Sequence, residues 1–288
     1  MSGLDFLNGQ NSGAIKIIHE PSAAEPFVVL EKPAGLPSAP LVQGEPSALT
    51  ECGRLFPQAL NVRGKKTVEG GLLHRIDTAT SGLLLISTSQ DFYDHIWAAQ
   101  ENGLFAKGYR AECDIDGQNA AALGGFPKTP VNPALLNDLP SLRGLKIVSL
   151  FRPFGKGKKE TRPVSPPAAL SGLASDSGAA LLGLANDSGL SGRAALKKVS
   201  SGRLYSTRIL SASSLEGGAL VECQITQGYR HQVRTHLAWL GLPVKGDALY
   251  NANYRRALNG AFEGAMHFYA VSLEFPDLFS NKAFRFSL

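Results

Sequence analysis

One carboxylate and one cationic cluster carry the chemistry that this chain could do. The carboxylate is Asp77, inside Gly71-Leu72-Leu73-His74-Arg75-Ile76-Asp77-Thr78-Ala79-Thr80-Ser81-Gly82, which runs directly into Leu83-Leu84-Leu85-Ile86. A wholly apolar run of that length reads as a buried strand, so Asp77 sits where the chain enters the core. Flanked by Arg75 and by hydroxyls, it could act as a nucleophile or a base. It could equally do no more than cap a turn through Thr78 to Gly82. The cations lie in Ile225–Tyr250, where a strand ends at Gly228 and a helix is expected over about residues 231–240. Val233, Leu237 and Leu240 form the apolar stripe of that helix, and Gly241 with Pro243 ends it. Arg230 and Arg234, four apart, are expected on one helix face. Cations at a helix N-terminus oppose the backbone dipole, so an anion is called for there, either a phosphate or a carboxylate such as Asp77.

Other chemistries have little support. His231 and His236 are five apart and do not share a helix face as an i, i+4 metal pair would, so no metal site is expected. There is no G-x-S-x-G, Walker A or G-x-G-x-x-G pattern, which leaves serine hydrolase, P-loop and dinucleotide-binding readings empty.

The elements that must position Asp77 and the arginines are mostly strands. Ile15–Ile18 and Phe27–Leu30 read as short strands, the second ending in the loop Lys32-Pro33-Ala34-Gly35-Leu36-Pro37. Residues 92–102 have apolar groups at helical spacing and Gly103 as a stop. Leu104–Ile115 alternates, with Phe105, Lys107, Tyr109, Ala111, Cys113 and Ile115 on one face. Further strands are expected at Ser206–Leu210, Ala219–Thr226 and Met266–Phe275; in the last, His267, Tyr269, Val271, Leu273 and Phe275 share a face. Strands outnumber helices and do not alternate with them, which predicts an α+β fold on a mixed, mainly antiparallel central sheet.

With 288 residues, 43% hydrophobic and 18% charged, the chain has an ordinary globular composition, and its net charge of +5 suits an anionic partner. Three widely spaced cysteines, Cys52, Cys113 and Cys223, predict buried reduced thiols in a cytoplasmic protein. Neither a signal peptide nor a membrane span is legible, so no membrane association is expected. Residues 1–25 read as an N-terminal extension. Residues 156–200 change character: the basic run Lys156-Gly157-Lys158-Lys159, then prolines, then a Gly/Ala/Ser/Leu-rich stretch in which Leu170–Gly178 returns as Leu181–Gly189. Two copies are too few for a solenoid, and the stretch reads as a low-complexity insertion in a loop. The catalytic fold is then expected over 26–155 and 201–288.

Four ordered segments resemble the RluA-type pseudouridine synthase family. Gly71–Gly82 resembles its H-R-[LI]-D-x-x-T-S-G segment, and Lys32–Leu36 its K-P-x-G-[LM] loop. Residues 228–250 are similar to G-R-[TSK]-H-Q-[IL]-R-x-H…G-x-P-[IL]-x-G-D-x-x-Y, and Lys107-Gly108-Tyr109 to K-x-Y. His267 fits the loosely patterned L-H-A strand. The resemblance implies Asp77 as catalytic nucleophile, Tyr109 stacking on the target base and Arg234 pairing with Asp77. It implies RNA-binding duties for Lys32, His74, Arg75, Lys107, Arg230 and His231. Tyr229 departs from the pattern, standing where arginine is usual, which bears on phosphate grip and substrate choice. The family often carries an N-terminal S4-like module, and about 25 residues before the first matched strand are too few for one. RNA affinity then falls to the catalytic domain, helped by Lys156, Lys158 and Lys159.

The activity so implied is isomerisation of uridine to pseudouridine in structured RNA (rRNA or tRNA), with no cofactor and no metal, by a cytoplasmic monomer. One ionised carboxylate beside C1′ suffices, whether it adds to C1′ or first takes a proton from C2′. Arg234 would keep Asp77 charged, and the target base must leave its stack. Two other classes compete with this one. A non-catalytic RNA-binding factor would bind RNA indifferently to Asp77, and a glycosidase would need a second carboxylate, which nothing marks Asp91 or Asp94 to be.

Overall fold

The computed structural model describes residues 14–128, 133–166, 180–182, 202–257, 265–280 and 282–288. The chain divides into two compact units, the first holding the residues up to Ala98 together with Leu278–Ser280 and Ser287–Leu288, the second Ala99–Asp277 together with residues 281–286.

In the first unit, β1 (Lys16–His19), β2 (Phe27–Lys32) and β3 (Ser81–Ser87) form an antiparallel run with β2 in the middle. Phe27–Leu30 and Leu83–Ile86 have no exposed surface. Continuous apolar sequence therefore marks strands covered on both faces. Helices α1 (Ala48–Leu55) and α2 (Gln58–Asn61) follow β2, and α3 (Gln90–Glu101) follows β3. Ser47 starts α1 by accepting the Thr50 N–H at 3.0 Å. In α3, Phe92 and Ile96 are buried, and Phe92 stacks on Phe27 at 4.8 Å between ring centres.

In the second unit, β4 (Ala106–Cys113), β5 (Lys146–Phe154), β6 (Glu160–Val164), β8 (Tyr205–Leu215), β9 (Gly218–Ile225) and β10 (Phe268–Pro276) pair antiparallel in the order β10-β4-β9-β8-β5-β6. Parallel pairing joins only β7 (Ala180–Leu182) to β5 among the described strands of this unit, and β11 (Ala283–Ser287) pairs with β10. Helices α4 (Asn119–Leu123), α5 (Gln232–Leu240) and α6 (Ala252–Ala257) are the α-helices among the described residues that lie wholly in this unit. Every residue of α5 is buried. The class is the expected α+β fold with a mainly antiparallel sheet.

Local differences from the sequence reading have physical causes. On β10, a bulge between Ala270 and Ser272 inserts Val271, so Phe268 and Ala270 are buried before it and Leu273 and Phe275 after it. The single face expected for His267 through Phe275 is therefore split in two. Ile115 lies past the end of β4 and is 47% exposed, not on its inner face. Regular structure begins inside the stretch read as an insertion: β6 is buried along its whole length. The rest of that stretch, apart from β7, and the N-terminal residues 1–13 lie outside the described residues. Cys52, Cys113 and Cys223 are free thiols, all buried. Among the described residues, no helix is long and apolar enough to cross a membrane.

Candidate active site

Asp77 opens a tight turn. Residues 71–73 run alongside β3, with Ser87 N–H donating to Gly71 O at 2.8 Å and Leu73 N–H to Leu85 O at 3.1 Å. The chain then turns back, and Thr80 N–H closes onto Asp77 O at 3.0 Å. Glycine is required at 71, because a Cβ there would run into the carbonyl oxygen of Ser87. Asp77 is half-buried at this turn, and the Thr80 side chain behind it is buried.

The Lys32–Pro37 loop braces that turn. Lys32 ends β2, two residues beyond the apolar run, and is fully buried. Its ammonium donates to Pro33 O at 2.8 Å, Leu36 O at 2.7 Å and Thr78 O at 3.2 Å. Gly35 N–H reaches the same Thr78 carbonyl at 2.8 Å. Ser38 Oγ donates to Ile76 O at 2.7 Å and accepts from Ile76 N–H at 3.1 Å. Both neighbours of Asp77 are thus held by one loop. Burial pulls the Lys32 ammonium down to about 8, while the Asp77 charge acts in the opposite sense.

His74 and Arg75 flank the turn differently. His74 Nε2 accepts the Leu85 N–H at 3.1 Å, which fixes the ring against β3. Arg75 is exposed and donates to Glu69 Oε1 at 3.0 Å.

In the second unit, Lys107 and Tyr109 lie on β4. Tyr109 is 7% exposed and stacks on Phe268 at 5.2 Å with an interplanar angle of 5°. The β10 bulge lies directly across from it: Ala270 faces Tyr109, and Ser272 faces Gly108. Lys107 is buried; its ammonium donates to Gln100 Oε1 at 2.6 Å and lies 4.1 Å from the Phe105 ring centre. Burial brings its pKa down to about 7. Lys32 and Lys107 thus spend their ammonium groups inside the protein, not on a solvent-facing surface that an RNA phosphate could reach.

Arg230 and Arg234 do not share a helix face. His231 adopts a left-handed conformation with φ of 58°, and helical geometry begins only at Gln232. Arg230 therefore lies outside the helix, exposed, donating to Lys158 O at 2.6 Å and Glu160 O at 3.2 Å. Arg234 lies inside it and pairs with Asp247: Nε donates to Oδ2 at 2.7 Å and Nη2 to Oδ1 at 2.8 Å. Its guanidinium also lies 5.2 Å from the Tyr250 ring centre. Asp247 Oδ1 accepts further N–H bonds from Leu249 and Tyr250, at 2.9 Å and 3.1 Å. His231 Nδ1 and Tyr250 OH are 2.8 Å apart, and the same phenol accepts the Thr161 N–H at 2.8 Å.

Asp247, Tyr250 and Thr161 were not singled out from sequence. The first two stand in the Pro243–Tyr250 motif, a signal that was present but carried no role. Thr161 stands on β6, within the stretch read as an insertion, and gave no signal. Tyr229, in place of the usual arginine, stacks on Phe151 at 4.7 Å with an interplanar angle of 3°. His236 is fully buried between Ser149 Oγ and Thr207 Oγ1, at 2.9 Å and 2.8 Å, and desolvation pulls its pKa down to about 3. His267 pairs with Glu112 Oε2 at 3.0 Å.

Comparison with known proteins agrees with this assembly of motifs. Residues 26–239 match the RNA pseudouridylate synthase family, and the chain belongs to that family. A Bacillus subtilis (strain 168) protein, the uncharacterized RNA pseudouridine synthase YhcT, is 36% identical over 64 residues, which is 21% of each chain. The matched segment thus spans about a fifth of that relative's length. Among solved structures, human RNA pseudouridylate synthase domain containing 4 is similar with a TM-score of 0.56 at 18% identity, covering 95% of this chain and 87% of that one. Human RNA pseudouridylate synthase domain containing 1 gives 0.52 at 14% identity, covering 98% and 86%. At these identities the likeness is one of fold.

Proposed function

We propose that this protein isomerises uridine to pseudouridine in structured RNA, with rRNA or tRNA as the substrate class. The observation that carries the reading is the setting of Asp77. A half-buried carboxylate stands on a turn held from both sides by the Lys32–Ser38 loop, inside the motif that the family match spans. In the reaction the C1′–N1 bond of uridine breaks and a C1′–C5 bond forms. The C5 proton is lost, and N1 gains one. Asp77 acts at the sugar, whose transition state has oxocarbenium character.

Tyr109 stacks on the displaced uracil, and Arg234 pairs with Asp77. Arg75, His74, Arg230 and His231 contact the RNA, whereas the buried Lys32 and Lys107 act by positioning. The protein works as a cytoplasmic monomer, and residues 26–155 and 201–288 form its catalytic part. The test is release of tritium from RNA carrying 5-tritiated uridine. Wild-type protein releases it in proportion to pseudouridine formed. Absence of release from ribosomal and transfer RNA transcripts alike would contradict the proposal.

A further inference from the structure

The loop 62–66, Val-Arg-Gly-Lys-Lys, forms a braced cationic surface joined to the Asp77 segment. Arg63, Lys65 and Lys66 are all exposed. The backbone that carries them is pinned to α3. Arg63 N–H donates to Gln90 Oε1 at 2.9 Å, and Lys65 N–H donates to Tyr93 OH at 3.0 Å. Lys65 Nζ lies 5.1 Å from the Trp97 ring centre, so its long side chain is held over an aromatic face. The other side of the loop packs against the chain that leads to Asp77. Gly64 sits so close to Gly70 that a Cβ would strike the Gly70 carbonyl oxygen.

A single buried carboxylate ties the surface together. Glu69, with a 9% exposed side chain, accepts from Arg75 at 3.0 Å and lies 3.8 Å from Lys66. Among the described residues, neither Arg63 nor Lys65 has a carboxylate partner. Lys66 and Arg75 thus share one anion, and Arg63 and Lys65 stand beside them on a backbone that hydrogen bonds hold in place. A surface that held its cations only for solubility would need none of this bracing.

We propose that Arg63, Lys65 and Lys66 form a phosphate-binding track that grips the RNA strand next to the nucleotide at Asp77. The inference rests on the proposed RNA substrate and extends it to a surface that none of the matched motifs includes. A strand of single-stranded or opened RNA presents phosphates along its length, and a fixed row of cations pays little ordering entropy on meeting them.

Affinity for a fluorescein-labelled 20-nucleotide oligouridine, measured by anisotropy across a salt series, tests this. Each phosphate contact to a single strand contributes about 0.7 to the slope of log Kd against log salt. Arg63→Gln/Lys65→Gln/Lys66→Gln is expected to weaken binding roughly 10- to 100-fold at low salt and to lower the slope by about 2. The comparison variant Arg143→Gln/Arg208→Gln/Lys282→Gln removes the same charge from exposed positions elsewhere and is expected to lose less than 3-fold. Equal loss in both variants, or an unchanged slope in the first, would overturn the track. Thermal melts of both establish that they are folded. Tritium release by wild type is read separately, so that a failed track with intact turnover is distinguishable from an absent activity.

Discussion

Arg234 and Asp247 form a buried two-point ion pair, with Nε–Oδ2 at 2.7 Å and Nη2–Oδ1 at 2.8 Å, and side chains 7% and 0% exposed. The planar guanidinium meets a carboxylate that also accepts two backbone N–H bonds, so the arginine is oriented before any substrate arrives. Removing one partner strands the other charge in the core. Asp247→Asn is expected to lower the unfolding free energy by about 3–5 kcal/mol. Urea denaturation checks this, and a loss below about 1 kcal/mol would show that the pair carries no structural duty.

The turn at Asp77 is sensitive to the residue that starts it. At Gly71 an added Cβ meets backbone, the Ser87 carbonyl, rather than a side chain able to swing away. Gly71→Ala is expected to destabilise by about 1–3 kcal/mol and to lower turnover with it, because the 71–73 backbone must move off β3. A stable, fully active Gly71→Ala variant would contradict this.

His236 predicts an acid sensitivity. The folded imidazole has its pKa pulled down to about 3 by burial, against 6.5 for the unfolded chain. Between those values the unfolded state binds the extra proton, so this contribution to stability is complete above pH 6.5 and is lost as pH falls toward 3. From pH 7 to pH 5 the loss is about 2 kcal/mol. Urea midpoints at the two pH values, compared with those of His236→Gln, report it. The variant is expected to show the shallower dependence.

Tyr109 offers a ring, backed by Phe268 at 5.2 Å, and its proposed role is stacking. Tyr109→Phe is expected to keep turnover within about 3-fold, and Tyr109→Ala to lose about 5- to 150-fold, since base stacking contributes roughly 1–3 kcal/mol. Equal losses in single-turnover assays would shift the role to the hydroxyl.

Much of this architecture was legible in residue order. The apolar runs at Phe27–Leu30 and Leu83–Ile86 became fully buried strands, and helical spacing after residue 90 became α3. What escaped depends on contacts distant in sequence or on single backbone angles. Val271 breaks the period-2 pattern of β10 because it is the extra residue of a bulge, which no alternation rule anticipates. His231 in the left-handed region separates Arg230 from the helix face that a spacing of four implied. The β6 strand hid among a basic run and prolines, yet its Thr161 meets the Tyr250 phenol across 89 residues. Asp247 was visible in its motif, but pairing with Arg234 is a tertiary fact, set by how the Gly246 turn returns the chain to α5.

Asp77 is proposed to perform pseudouridine formation in cellular RNA. The most direct test maps pseudouridines in total RNA from cells lacking this gene, complemented with wild-type or Asp77→Asn protein. At least one ribosomal or transfer RNA site is expected to disappear in the deletion and return with wild type alone, while Asp77→Asn protein still binds RNA within a few-fold. Restoration of that site by Asp77→Asn, or a map unchanged by the deletion, would contradict it.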